Sequence, residues 1–412
     1  MKKLIYIFLI LFAFKLFGET FDIHEVIEIG LENSYDLNSQ KYSLRVAKQN
    51  LYSSYLDFLP SASYNISKIE TDNSSEKSGS VSISESVSSN ESRYFSIKNN
   101  LSSLRKNEIN FEIAKRDLVY TVVQYYLNIL ENKEEFEVAK LEVEIPRKNL
   151  EETKILFSHG KVSEINKKQV EINLSRAKID SNKAKNELER SVLNLCFLIN
   201  LNYNENYEFA KFDYEFRNPN DFSYSQKNDL EISSAKEDFL QSKLDYTQNK
   251  LDFLPTLSFS VSKDLAWKEK SIFDFDKNSS QLQYTLSLSY PLFNPLTNLP
   301  KNLSSKYAFK QSKLTFDNIK KDQKQNFELL LSDFRQSKES LKLAKMQLDL
   351  EELNFNLVNE KYKLGKANFI EFEDAKKNLL KSKTDKISEY YNLILIQEKL
   401  NLICNSKILK KY

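Results

Sequence analysis

Two hydrophobic periods alternate along this chain, and each returns in a second copy. From Ile23 to Tyr55, apolar residues (Val26, Ile27, Leu31, Leu37, Leu44, Ala47, Leu51) recur at steps of a helical face, predicting helix over 22–58. Pro60 ends that helix, because it lacks the amide proton a further turn needs. Ser61 to Ser67 then alternates strictly, with Ala62, Tyr64 and Ile66 on one side and only Ser and Asn on the other, the period of a strand. The Ser-, Glu- and Asn-rich stretch 70–92 reads as an exposed loop, and Tyr94 to Asn100 as a weaker second strand. The second copy is cleaner. Leu257, Phe259 and Val261 alternate with Thr256, Ser258, Ser260 and Ser262. After a loop carrying the only tryptophan, Trp267, Leu282, Tyr284, Leu286, Leu288 and Tyr290 alternate with Gln281, Gln283, Thr285, Ser287 and Ser289.

Each strand pair leads into a very long helical pattern. Residues 101–158 and 303–363 contain no glycine and, between them, the single proline Pro146. At about 1.5 Å per residue each would run about 85–90 Å. In the second, Leu330, Phe334, Leu341, Ala344, Leu348, Phe355, Val358 and Tyr362 follow heptad spacing, with Ser337 and Glu351 as misses. Pro146 is expected to kink the first. Gly160 and Gly365 then reverse the chain into shorter helices near 163–199 and 368–403, and the Asn-, Tyr- and Phe-rich segment 201–225 reads as an irregular junction.

The two copies share markers in the same order. Leu56-Asp57-Phe58-Leu59-Pro60-Ser61 returns as Leu251-Asp252-Phe253-Leu254-Pro255-Thr256, the Gly160 turn returns at Gly365, and Leu193-Asn194-Leu195-Cys196 is echoed by Leu400-Asn401-Leu402-Ile403-Cys404. A period this long duplicates a whole structural unit rather than building a solenoid. The organisation expected is a leader at 1–18, a first repeat at 19–205, a junction at 206–225 and a second repeat at 226–412, with hairpins at 61–100 and 256–293.

Composition narrows the class. Lys2 and Lys3 precede an apolar run from Leu4 to Phe14, a secretory leader too short to span a bilayer. Without Lys2, Lys3 and Lys15 the chain carries 57 basic and 58 acidic residues, so no nucleic-acid partner is indicated. Five glycines and seven prolines in 412 residues fit a mostly helical protein. Cys196 and Cys404 fall at equivalent places in the repeats and read as buried thiols, with a disulfide open in an oxidising compartment. Two histidines without acidic or Cys partners at ligand spacing make no metal motif, and no Gly-rich phosphate loop or nucleophile context is present. No cofactor and no enzymatic activity are expected.

A strand with an apolar, aromatic-rich face and an uncharged polar face suits lipid on one side and a water-filled lumen on the other. Leu257, Phe259, Val261, Leu282, Tyr284, Leu286 and Leu288 are the candidate lipid-facing row. Lipid cannot satisfy an open sheet edge, and about four strands per chain cannot close alone. Two chains would give eight strands and little lumen; three give twelve and a channel.

At this point the residues resemble the TolC-like outer membrane efflux proteins. Phe21-Asp22-Ile23-His24-Glu25-Val26-Ile27-Glu28-Ile29-Gly30-Leu31-Glu32-Asn33 is similar to the opening helix of that family, and Asn228-Asp229-Leu230 to its second copy. Leu-Pro before a strand, Tyr290-Pro291-Leu292-Phe293 after one, and the two Gly turns match as well. The fold implied is mixed but mainly α: a long antiparallel α-helical coiled-coil barrel, with four transmembrane β-strands per chain closing a twelve-stranded β-barrel as a homotrimer. The implied partners are a periplasmic adaptor (membrane fusion) protein, an inner-membrane transporter and outer membrane lipid. The implied site is the periplasmic tip. Glu371 and Asp374 match two pore-facing acids that would favour cations and bind multivalent ions, and Tyr362 matches a tip tyrosine that hydrogen-bonds in the closed state. Gly160, Lys161, Gly365 and Lys366 fall where the adaptor docks. An ion pair that closes the tip in known members finds Ala367 and Asn166 here and cannot form as such. The acids also fit a first helical turn that complements the helix dipole.

The resemblance implies an exit duct for drugs or other small molecules. The alternatives are the duct of a type I protein secretion system and, in another class, a non-porous periplasmic coiled-coil scaffold.

Overall fold

A computed structural model describes residues 20–71, 74–88, 92–251, 255–263, 265–267, 275–276, 282–290, 294–406 and 409. The leader and the motif positions 252–254 and 291–293 lie outside the described residues. The chain runs β1 (Thr20–Phe21), α1 (Ile23–Asn33), α2 (Tyr35–Leu56), β2 (Ser61–Thr71), β3 (Ser74–Ser88), α3 (Ser92–Ser158), α4 (Glu164–Leu198) and β4 (Glu208–Phe209). It continues through α5 (Leu230–Leu251), β5 (Thr256–Lys263), β6 (Leu265–Trp267), β7 (Phe275–Asp276), β8 (Leu282–Ser289), α6 (Asn294–Lys363) and α7 (Phe369–Ile403). The order helix, paired strands, very long helix, shorter helix thus occurs twice. At about 1.5 Å per residue, the 67 residues of α3 and the 70 of α6 each run about 100 Å.

Contacts divide the chain into two compact units, each drawing on both halves of the sequence. One comprises Ser39–Ile113 and Leu230–Asp322 and holds the larger sheet. There β2 pairs with β3, β3 with β5 and β6, and β5 with β8, all antiparallel; β2 and β8 have no second strand neighbour among the described residues. The register sets like against like. Leu257, Phe259 and Val261 face Leu288, Leu286 and Tyr284, while Ser258, Ser260 and Ser262 face Ser287, Thr285 and Gln283. Glu85, opposite Val261, and Lys263, opposite Leu282, are charged positions within the apolar rows. Both faces of β8 are exposed, with Leu286 at 71% and Leu288 at 72%. Behind the sheet's sequence neighbours, α3 and α5 are tied by polar contacts: Ser102 donates to Glu237 at 2.6 Å and Asn99 to Asp245 at 3.0 Å. On α5 and α6, Tyr246, Phe309, Phe239 and Phe316 stack in sequence.

Three readings of this region need correction. The second strand of the first hairpin is Ser74–Ser88, inside the stretch read as a loop, and Tyr94 to Asn100 is helix, so the hairpin ends at Ser88 rather than at 100. Val81, Ile83 and Val87 keep a two-residue period that the serine-rich composition obscures. Phe95, Asn99 and Ser102 instead lie three to four apart, placing Phe95 and Ser102 in the interior and Asn99 against α5. Trp267 ends β6, paired with Phe275 across a short ladder rather than lying in a loop.

The other unit runs up to Asn38, then Ala114–Asp229 and from Gln323 onward. Its core joins α1, α3, α4 and α7 through Ile23, Ile27, Val123, Leu127, Leu195 and Ile394. β1 and β4 pair in parallel, and the buried Tyr126 hydroxyl lies 2.9 Å from the Phe21 carbonyl and 2.7 Å from that of Ala210. Tyr126 therefore ties both strands to α3. The single helix expected over 22–58 is two: Ser34 is extended and buried, and its hydroxyl accepts from the Leu37 amide, so it restarts the chain as α2. Along α6, Phe327, Leu330, Phe334, Ser337, Leu341, Ala344, Leu348, Glu351, Phe355, Val358 and Tyr362 form one unbroken less-exposed stripe. Ser337 and Glu351, the two misses in the sequence pattern, sit on it. The Ser337 hydroxyl is buried without a hydrogen-bond partner among the described residues.

Candidate functional site at the two helix turns

The two chain reversals share one backbone design. Gly160 and Gly365 adopt φ of +71° and +69°, a left-handed conformation that costs other L-residues roughly 1–2 kcal/mol. In each, the amide after the glycine reaches back five residues: Lys161 to the Leu156 carbonyl at 2.9 Å, Lys366 to that of Lys361 at 2.8 Å. The glycine amides close the inner bonds to Phe157 and Tyr362, completing the same left-handed helix end twice. Three residues on, Ser163 and Asn368 cap the return helices by accepting from the Asn166 and Glu371 amides.

The side chains differ. Glu371 returns a carboxylate oxygen to the Asn368 amide at 3.0 Å, a reciprocal cap absent at Asn166. Tyr362 stacks on Phe372 with centroids 4.9 Å apart and planes at 20°, and Phe355 meets the same ring at 5.8 Å. Phe372 is 3% exposed, and with Ala375 and Leu379 it forms the buried face of α7. Glu371 and Asp374 lie on the exposed side of that turn, so the structure brings them together while giving Glu371 a capping role as well. Burial, then the Glu152 and Glu373 charges, push the Tyr362 phenol above its ordinary pKa. A cavity of about 230 Å³ beside it is lined by Glu152, Leu156, Asn166, Tyr362 and Phe369 among others.

At the first turn Lys167 sits over the Phe157 ring at 5.0 Å. Lys161 and Lys366 are exposed, as are Ile165 (79%) and Ile370 (70%), each five residues past its glycine. His159 is an exposed turn residue whose Nδ1 lies 2.7 Å from the Ile155 carbonyl. Cys196 is buried and Cys404 partly so; both thiols are free, and burial pushes Cys196 up to about 11. Among the described residues there is no metal-competent cluster, and no helix is long and apolar enough to cross a membrane.

Sequence reasoning missed two features. Glu398 is fully buried, with Tyr214 donating to one oxygen and Asn401 and the Leu409 amide, each at 3.2 Å, to the other. Burial pushes its carboxyl up while these donors favour the charged form. Its partners lie as far as 184 residues away, so no local pattern announces it. The other feature was legible. Leu343, Met346, Leu350, Leu353 and Leu357 make a second heptad row on α6, continued by Leu364 just past its end, that nothing among the described residues covers, and Ile165, Ile172 and Ile179 do the same on α4.

Residues 223–406 match the family described as "Outer membrane efflux protein". No curated protein matches the sequence as an individual. The fold is that of solved outer membrane channels. CmeC of Campylobacter jejuni is 16% identical with a TM-score of 0.82, over 95% of this chain and 87% of its own. VceC of Vibrio cholerae is 11% identical with a TM-score of 0.81, over 94% and 96%. MtrE of Neisseria gonorrhoeae, solved as an open outer membrane channel, is 16% identical with a TM-score of 0.77, over 94% and 90%. The resemblance to TolC-like outer membrane efflux proteins drawn from the sequence is borne out.

Proposed function

We propose that this chain is the outer membrane exit duct of a tripartite export system, assembled as a homotrimer and passing drugs or other small molecules from an inner-membrane transporter and periplasmic adaptor to the exterior. The observation that carries this reading is the antiparallel sheet, exposed on both sides of β8 and with no second strand beside β2 or β8 among the described residues. In lipid such edges must be closed, and three copies of four strand paths give a twelve-stranded barrel. The uncovered rows on α4 and α6 support the same assembly. α7 packs on α6 through Phe355–Phe372 and on α3 through Tyr391–Glu134, whereas α4 and α6 each keep a heptad row that is exposed among the described residues. One copy's α6 row meeting a neighbour's α4 row closes a ring of helices. The adaptor docks at the turns, through Gly160, Lys161, Gly365 and Lys366. The Glu371 and Asp374 pairs of three copies ring the pore there, favouring cations.

The test is the mass of the detergent-extracted protein. A trimer is expected, and Leu350→Glu with Leu357→Glu should give folded monomers, since both residues are exposed within one chain. A monomeric parent protein extractable by salt alone would overturn the reading in favour of a periplasmic scaffold.

A further inference from the structure

The strand register sorts charge as well as apolarity. On one side of the sheet, Ser61, Ser63, Asn65 and Ser67 pair with Ser84, Ser82, Ser80 and Ser78. The same side continues through Ser86 and Ser88, opposite Ser260 and Ser258, and ends at β8 with Gln283, Thr285, Ser287 and Ser289. At the positions named, on β2, β3, β5 and β8, these residues are hydroxyls and amides without charge. Glu76, near the hairpin end of β3, and Asp276, on the rung of Ala266, Ser80 and Asn65, are the charged positions on that side among the described residues. The other charged positions of the paired segments, Lys68, Glu70, Lys77, Glu85 and Lys263, fall in the apolar rows.

We propose that this hydroxyl face makes the helix-proximal wall of the exit barrel, between the helices and the Ser80 rung, electrically neutral, so that this stretch passes anionic and cationic cargo alike and leaves charge selection to other parts of the duct. The inference rests on the exit-duct reading, in which this face is the lumen. Pores select by charge when rings of ionised side chains line them, and in a trimer every charged lumen position would count three times. A hydroxyl is both donor and acceptor and turns to suit, so a wall of serines solvates either sign. Serine is also small, which keeps the bore wide.

The test is thiol labelling of the full-length protein in lipid nanodiscs, with Ser287→Cys, Thr285→Cys and Leu286→Cys made singly. The parent serves as baseline for its own two thiols, Cys196, which is buried and pushed up to about 11, and Cys404, which is partly buried and also pushed up by burial; their labelling is subtracted. Membrane-impermeant methanethiosulfonates carrying a trimethylammonium or a sulfonate group are compared, each rate divided by that with free cysteine. At Ser287→Cys and Thr285→Cys the two corrected rates should agree within about threefold, and Leu286→Cys should stay unlabelled. A preference beyond about tenfold for either sign would overturn the neutral wall while leaving the duct intact. Labelling of Leu286→Cys in place of Ser287→Cys would instead remove the duct reading on which the inference stands.

Discussion

The Gly160 and Gly365 turns have the same backbone and opposite chemistry. Tyr362 and Phe157 each lie three residues before the glycine, and Phe372 and Lys167 each lie seven after it. The same pair of positions meets in both turns, as a stacked ring pair at 4.9 Å in the second and a lysine over a ring at 5.0 Å in the first. Six residues after the glycine stand Asn166 and Glu371, and nine after stand Gln169 and Asp374. The duplicated frame thus fixes where the chain turns, while the second copy alone carries the acids and a ring anchor beneath them. Phe372 is buried and Phe157 is 37% exposed, so the second turn is the more firmly packed.

Breaking the anchors should show the largest asymmetry. Phe372→Ala removes a buried ring and should cost about 3 kcal/mol, whereas Lys167→Ala removes a partly exposed cation–ring contact worth about 0.5–1 kcal/mol. Amide exchange across each turn reads the difference directly; equal loss of protection would deny that the two contacts differ in kind. The shared frame predicts the opposite outcome for the glycines. An added Cβ meets nothing within 4 Å at either Gly160 or Gly365, so both Gly→Ala changes should cost the same 1–2 kcal/mol, roughly the left-handed penalty alone. Unequal costs, measured by the same exchange, would mean that the frames are not equivalent. Smaller still, Asn368→Ala and Ser163→Ala should each lose about 1 kcal/mol of helix start. Glu371→Gln should cost only a few tenths, because glutamine also returns a hydrogen bond to the Asn368 amide. A larger loss on Glu371→Gln, seen by exchange at α7's first turn, would point to a mainly structural role for that carboxylate.

What the sequence revealed followed the range of the signal. The return helices were legible to within a residue, because a glycine, a capping residue and a heptad stripe all lie within a few turns of each boundary. The α6 stripe was legible too, and its polar members Ser337 and Glu351 show that spacing outweighs residue type in a seam. β3 was not, because its serines carry the composition of a loop while Val81, Ile83 and Val87 carry the period of a strand. The break at Ser34 carries a local mark, a serine whose hydroxyl caps α2, but the apolar period running on from Leu31 to Leu37 hides it. At the turns, Gly160, Gly365, Glu371 and Asp374 were readable from spacing and resemblance, whereas the Phe372 anchor required knowing which face of α7 is buried. The Glu398 network needed the folded chain.

The central claim is a duct whose second turns gate it with carboxylates. The most direct measurement is the reversal potential of single channels in a planar bilayer under a salt gradient, for the parent protein and for Glu371→Gln combined with Asp374→Asn. Cation-selective openings in the parent, and openings of lost or much reduced selectivity in the double variant, are the predicted result. Openings of unchanged selectivity in the variant would contradict the gate, and a folded, trimeric parent that conducts nothing would contradict the duct.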